Sequence, residues 1–241
     1  MTNYHPNDHT LEAWASGQLS PADAFAVALH IDMCPHCLSR AKATEEIIAE
    51  QYFSPSSMAW SQTPVKTASE FTTPMLSSND DELLAEILDL PQLSSTPKTD
   101  QPDIPSYATV SVSGTEFCLP KRLNAVLPQL KHWKDYGQRV FTASLFLEDS
   151  VQMSLLYIKK GVQVPEHTHK GTETTLVLHG CFEDENGLYQ HGDYLSADNS
   201  TTHTPRTVDS DCLCLTVLSQ PMLFTQGVAK VFNRFGKGMY P

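Results

Sequence analysis

The feature that most narrows the possible folds is one spaced set of residues, Gly161-x5-His167-x-His169-x3-Glu173-x6-Gly180. Successive side chains of an extended strand point to opposite faces, so His167 and His169 share a face. A tight turn through Lys170-Gly171-Thr172 lets Glu173 point into the same cavity. A second strand pair, after Gly192 and a loop through Asp198 to Thr202, should supply His203. Three imidazoles and one carboxylate suit Zn, Fe, Mn, Ni or Cu by ligand type alone. His132, His179 and His191 have no such setting and read as ordinary surface or satisfied polar residues.

From about residue 108 onward the chain reads as short strands. Ala143–Leu147, Gln152–Ile158, Glu173–Leu178, Gly192–Leu195 and Cys212–Leu218 are examples, with turn residues such as Asn186-Gly187 and His191-Gly192 between some of them. Short strands with no long helix between them suggest a sandwich or barrel. The ligand pattern resembles the two cupin motifs, and that resemblance implies an all-β double-stranded β-helix barrel. The first motif is matched at every defining position. In the second, Gly192 and His203 fit, whereas Asp198 stands where proline is common and Ser200 where glycine is common.

Residues 1–52 read as three helices. Leu11, Trp14 and Ala15 fall on one face, and Gly17 is a stop. Ser20-Pro21 has the form of an N-cap followed by proline at the first helical position. Phe25, Val27, Ala28 and Leu29 belong to the second helix, and a third begins around Pro35 and carries Ile47 and Ile48 towards Tyr52. Within this stretch His30-x3-Cys34-x2-Cys37 has the spacing of a zinc site. His30 and Cys34 share a helix face at i, i+4, and Cys37 lies one short turn further on. Zinc needs a fourth ligand, for which His5 and His9 are the candidates. A thioredoxin-type redox pair is the poorer reading, because the βαβ context is absent. His36 should point to solvent.

Residues 53–78 have the Ser-, Thr- and Pro-rich composition of a flexible linker. Residues 79–90 read as a short fourth helix, with Asp80, Asp81 and Glu82 at its start and Leu83, Leu84, Ile87 and Leu88 on one face before Pro91. So short a helix is marginal alone and needs a packing partner. Residues 91–106 form a second linker. The expected organisation is a helical metal domain over 1–90 and a cupin-like domain with a C-terminal tail over 107–241. The tail carries Phe224, Phe232 and Phe235 and suits the covering of an edge strand or an interface.

A formal charge of −12 argues against a free nucleic-acid binder, which needs a basic face for phosphate. No apolar signal segment and no run long enough to span a membrane is visible, so the expected location is cytoplasmic. There, six cysteines read as metal ligands or reactive thiols, not disulfides. Cys212 and Cys214 alternate on one strand and face the same side. They are either small core residues or, if that side is the barrel interior, thiols near the metal. Cys118 and Cys181 have no assigned role.

Both constellations together, in this order, resemble the ChrR-type zinc anti-sigma factors. The residues that carry the resemblance are His5 with Asp8, Ala13-Trp14-Ala15-Ser16-Gly17, the stretch from Ala28 to Cys37, and His167, His169, Glu173 and His203. The resemblance implies a zinc-bound helical anti-sigma domain followed by a cupin sensor. His5, His30, Cys34 and Cys37 would hold the first ion, a zinc. His167, His169, Glu173 and His203 would hold a second zinc or another divalent transition metal. The implied partner is an extracytoplasmic-function sigma factor, kept from RNA polymerase and released under singlet oxygen or organic hydroperoxide. No nucleic-acid or membrane partner is implied, and a homodimer through the cupin domain is compatible. The competing class is a cupin-type metal-dependent dioxygenase or isomerase with an accessory zinc domain.

Overall fold

The computed structural model describes residues 2–53, 107–147 and 151–227, with Lys230 and Asn233. The expected linkers and the helix expected over 79–90 lie outside the described residues, apart from Phe53. Helix α1 (Asp8–Ala15) starts where the Asn7 side chain accepts the Thr10 amide, and it ends at Ser16, followed by Gly17 at φ +70°. Helix α2 (Pro21–Met33) is capped by Ser20, whose hydroxyl accepts the Asp23 amide, and carries proline in its first turn as expected. Helix α3 (Pro35–Phe53) begins at the expected proline.

The β region contains β1 (Tyr107–Val112), β2 (Thr115–Pro120), β3 (Lys134–Tyr136), β4 (Val140–Leu147), β5 (Gln152–Ile158), β6 (His167–His169) and β7 (Glu173–His179). It continues with β8 (Cys181–Asp184), β9 (Gly187–Gln190), β10 (Tyr194–Ala197), β11 (Thr202–His203), β12 (Cys212–Leu218) and β13 (Met222–Phe224). A six-stranded sheet has the order β10-β7-β12-β5-β4-β3, and a three-stranded sheet the order β11-β6-β13. The hairpins β1-β2 and β8-β9 complete the pairing. Both larger sheets and β8 line one cavity of about 550 Å³, as expected for a cupin-like barrel.

The strand expected at Gly192 begins two residues later, at Tyr194. Gly192 sits at φ +93°, outside the extended region, and turns the chain into β10. The start of the tail does cover a strand edge: β13 pairs with β6, setting Phe224 opposite His167 and Met222 opposite His169.

Every residue of β12 is buried, which explains a run that is apolar apart from Thr216. Leu213, Leu215 and Val217 share a core with Leu29 and Ile31 of α2, with β5 and with the β1-β2 hairpin. Cys212 and Cys214 face the other way, packing with Val177, Phe182 and Tyr189. The three helices therefore do not float free of the β structure. Asp32 of α2 makes a two-toothed ion pair with Arg122, and Asp23 accepts from Thr174 of β7. Burying one leucine such as Leu29, which is fully inaccessible, contributes about 1.5–3 kcal/mol.

Candidate metal centres

The first centre forms where α2 ends and α3 begins. His30 lies in the last turn of α2, Cys34 caps that helix, and Cys37 opens α3. The fourth side chain is that of His5, in the extended segment before α1; His9, on α1, is exposed. His5 Nδ1 lies 3.4 Å from Cys37 Sγ and 3.5 Å from both Cys34 Sγ and His30 Nε2. A tetrahedron with Zn–N near 2.05 Å and Zn–S near 2.3 Å has N–S edges of about 3.5 Å and N–N edges of about 3.3 Å. The side chains already stand at those separations, so the residues fit a tetrahedral ion.

The surroundings settle which atoms face that point. His30 Nδ1 donates to the Gly192 carbonyl at 2.8 Å, which leaves Nε2 for an ion. Burial pushes the His30 pKa down to about 4, and burial with the nearby His36 and Arg40 also lowers that of His5. Both imidazoles are therefore held neutral, as ligands must be. Burial opposes the Cys34 thiolate, but hydrogen bonds from Thr2, Cys37 and the His36 amide outweigh it and lower the pKa. Burial and the adjacent Cys34 push the Cys37 thiol up to about 11. Arg40 stands 3.8 Å from Cys37 Sγ and donates to the Pro6 carbonyl and to Asp8.

The second centre gathers His167 and His169 from β6, Glu173 from the start of β7 and His203 from β11. Potential ligand atoms of the four lie within 4.8 Å of one another. His167 and His203 bring their Nε2 atoms to 2.9 Å. Each has its other nitrogen engaged: His167 Nδ1 donates to the Pro165 carbonyl, and His203 Nδ1 meets Asp184 Oδ2 at 2.9 Å. Thr175 donates to Glu173 Oε1. His169 Nδ1 and Glu173 Oε2 are 3.0 Å apart, yet neither makes a well-directed hydrogen bond, and His169 Nε2 has no partner either. Such buried orphans cost about 1–3 kcal/mol each, and a bound cation would offset that cost. Burial drives the His167 pKa down to about 4. For Glu173 burial works against the charged form, but His169, His167 and His203 outweigh it and keep the pKa below the usual value. A buried carboxylate facing three imidazoles fits a divalent cation.

The second-motif loop is closed by the two residues that depart from the cupin pattern. Asp198 accepts the Ser200 amide and hydroxyl, and its carbonyl accepts the Thr201 amide. The side chain thus makes a turn that elsewhere takes proline and glycine. Residues 124–222 match the family model of the ChrR cupin-like domain. The likeness to ChrR continues beyond this stretch. The anti-sigma-E factor ChrR of Cereibacter sphaeroides is 28% identical over 233 residues, spanning 96% of this chain and 97% of that protein. The crystal structure of Rhodobacter sphaeroides SigE in complex with the anti-sigma ChrR matches with a TM-score of 0.60 at 27% identity. It covers 90% of this chain and 99% of that one.

Several residues that shape the centres carry no motif. Asp184 was legible only as part of the hairpin around Asn186-Gly187, whose amides it accepts. Asp193 accepts the Asn3 and Tyr4 amides, partners remote in sequence, and Arg40 lies beside Cys37 one helical turn away and donates to the remote Pro6 carbonyl. Cys214 lines the cavity, and its Sγ is 3.5 Å from that of Cys212. Both thiols are therefore core residues, as the first sequence alternative has it, with Cys214 on the interior side. Cys118 is exposed, and Cys181 lies beside Ser210.

Proposed function

We propose that this chain is an anti-sigma factor that sequesters an extracytoplasmic-function sigma factor in the cytoplasm and releases it under oxidative stress. The observation that carries the reading is the pairing of a Cys2His2 cluster on a helical unit with a match to the ChrR cupin-like domain. A relative of matching length bears the name anti-sigma-E factor, and its counterpart was solved with SigE. The reading is of a regulator and not of an enzyme. Among the described residues no helix is long and apolar enough to cross a membrane.

In this reading His5, His30, Cys34 and Cys37 hold a structural zinc. A small helical unit buries little core of its own, so the metal stabilises its fold. His167, His169, Glu173 and His203 hold the second ion. The Nε2 atoms of His167 and His203 stand 2.9 Å apart, so both would face that ion. The apolar cavity ends at His167, Glu173 and His203. It offers a small oxidant or organic peroxide a path to this centre, while oxidant-sensitive thiolates stand at the other.

The test mixes the purified full chain with extracytoplasmic-function sigma factors of its own organism. A one-to-one complex by size exclusion, which blocks transcription in vitro and is abolished by Cys34→Ser, supports the reading. Failure to bind any of them overturns it. Elemental analysis should give two metal ions per chain, with one lost in Cys34→Ser and the other in His169→Ala.

A further inference from the structure

The two centres are joined by a continuous line of contacts through the β8-β9 hairpin. His203 of the second centre meets Asp184 Oδ2 at 2.9 Å through Nδ1. The other oxygen of Asp184 accepts the Tyr189 hydroxyl at 3.0 Å and also the Asn186 and Gly187 amides. One carboxylate therefore holds both the ligand and the hairpin. The Tyr189 ring meets Tyr4 edge-on, with centroids 4.7 Å apart. Gly187 leaves the space for this: a Cβ there would come within 2.4 Å of the Tyr4 hydroxyl. Tyr4 is bonded in turn to the first residue of β10, the strand that follows the hairpin, since its carbonyl accepts the Tyr194 amide. His5, the one ligand of the first centre from outside the continuous stretch of α2, its cap and α3, is the next residue.

We propose that the β8-β9 hairpin couples the two centres, with Asp184, Tyr189 and Tyr4 as positioning residues that make the seating of His5 depend on the state of His203. This inference deepens the proposed function, because it supplies the link between a sensing site and a partner-binding unit. When His203 is fixed at an occupied second centre, Asp184 is fixed with it, and Tyr189 offers Tyr4 a rigid platform. When His203 is free, Asp184 loses one of its restraints and the platform loosens. The segment from Thr2 to His5 then leaves the first centre more often. Thr2 donates to Cys34 Sγ, so departure of this segment also strips Cys34 of a hydrogen bond and of cover. Coupling is reciprocal, so disturbance of the first centre weakens the second by the same factor.

The experiment follows alkylation of Cys34 and Cys37 by iodoacetamide in the full metal-loaded chain, resolved from the other cysteines by peptide mass. His169→Ala empties the second centre without touching the contact line. It should raise the alkylation rate of Cys34 by about tenfold, within the roughly 5–150-fold range of ordinary allosteric coupling. The same change is then made in Tyr189→Phe, which keeps the ring but loses the bond to Asp184, and in Tyr4→Leu, which keeps the main-chain bonds but loses the ring. In both backgrounds the increase should shrink to less than about twofold, a loss of coupling that mere general loosening would not produce. An unchanged rate in His169→Ala, or an equal increase in all three backgrounds, overturns the inference. The free chain is used throughout, so the outcome is independent of partner binding. A chain that binds the sigma factor without coupling fails this inference alone, and one that couples without binding fails only the proposed function.

Discussion

Replacing Asp193 by alanine should release the N-terminal segment while leaving the barrel largely intact. Asp193 is fully buried. One of its oxygens accepts the Asn3 amide at 2.6 Å and the Tyr4 amide at 3.2 Å, and the other accepts the Gln190 amide of its own turn at 2.8 Å. Hydrogen bonds to a charged group are worth about 1.5–3 kcal/mol each. Two of the three tie down Asn3 and Tyr4, so the substitution should weaken their attachment by about 3 kcal/mol. At 1.4 kcal/mol per decade this raises the population with the segment detached by about two orders of magnitude. Hydrogen exchange reads the effect at the Tyr194 amide, whose acceptor is the Tyr4 carbonyl. Exchange there should accelerate by about a hundredfold. The Leu215 amide, in the central strand β12, should accelerate by less than about tenfold, because only the Gln190 bond is lost within the barrel. Equal acceleration at Tyr194 and Leu215 would refute the reasoning, since Asp193 would then support the barrel as a whole.

Gly180→Ala should destabilise the barrel by about 3 kcal/mol or more in urea unfolding, because Gly180 has φ +71° and an added Cβ would fall 1.9 Å from the Asp211 carbonyl oxygen. In the metal-free chain, His30 and His167 have folded-state pKa values near 4 against an ordinary 6.5. The unfolded chain takes up protons there that the folded chain refuses, so stability should fall as pH drops from about 6.5 towards 4, by at most about 3 kcal/mol for each. Glu173, with a pKa below 4.5, begins to matter only under that value, so flat stability between pH 6.5 and 4.5 would contradict the burial of the imidazoles. Among the cysteines of the β domain, Cys118 is exposed, whereas the hydrogen bond with Cys214 and burial raise the Cys212 pKa well above its ordinary value. Alkylation at neutral pH should therefore modify Cys118 first and Cys212 last, and a fast Cys212 would show that the cavity admits water freely to β12.

Much of this protein is written in local pattern, because local pattern is set by local physics. The caps at Ser20-Pro21 and Gly17 follow from which residues satisfy helix ends or tolerate positive φ. The strands β5 and β12 fall where their apolar runs place them. The spacing from His167 to Glu173 brings three side chains to one cluster, the two histidines because a strand alternates with a period of two and Glu173 through the turn into β7. Partners distant in the chain leave no such trace. Sequence spacing alone did not separate His5 from His9; the extended segment held by Asp193 brings His5 beside Cys34 and leaves His9 on the surface of α1. Nor did it show that His30 of the helical unit would donate to Gly192 of the barrel, 162 residues away. That bond, and the line from His203 through Asp184 and Tyr189 to Tyr4, exist only once α2 has buried its apolar residues against β12. Periodicity encodes which face of an element is apolar, and only the folded chain decides which two faces meet.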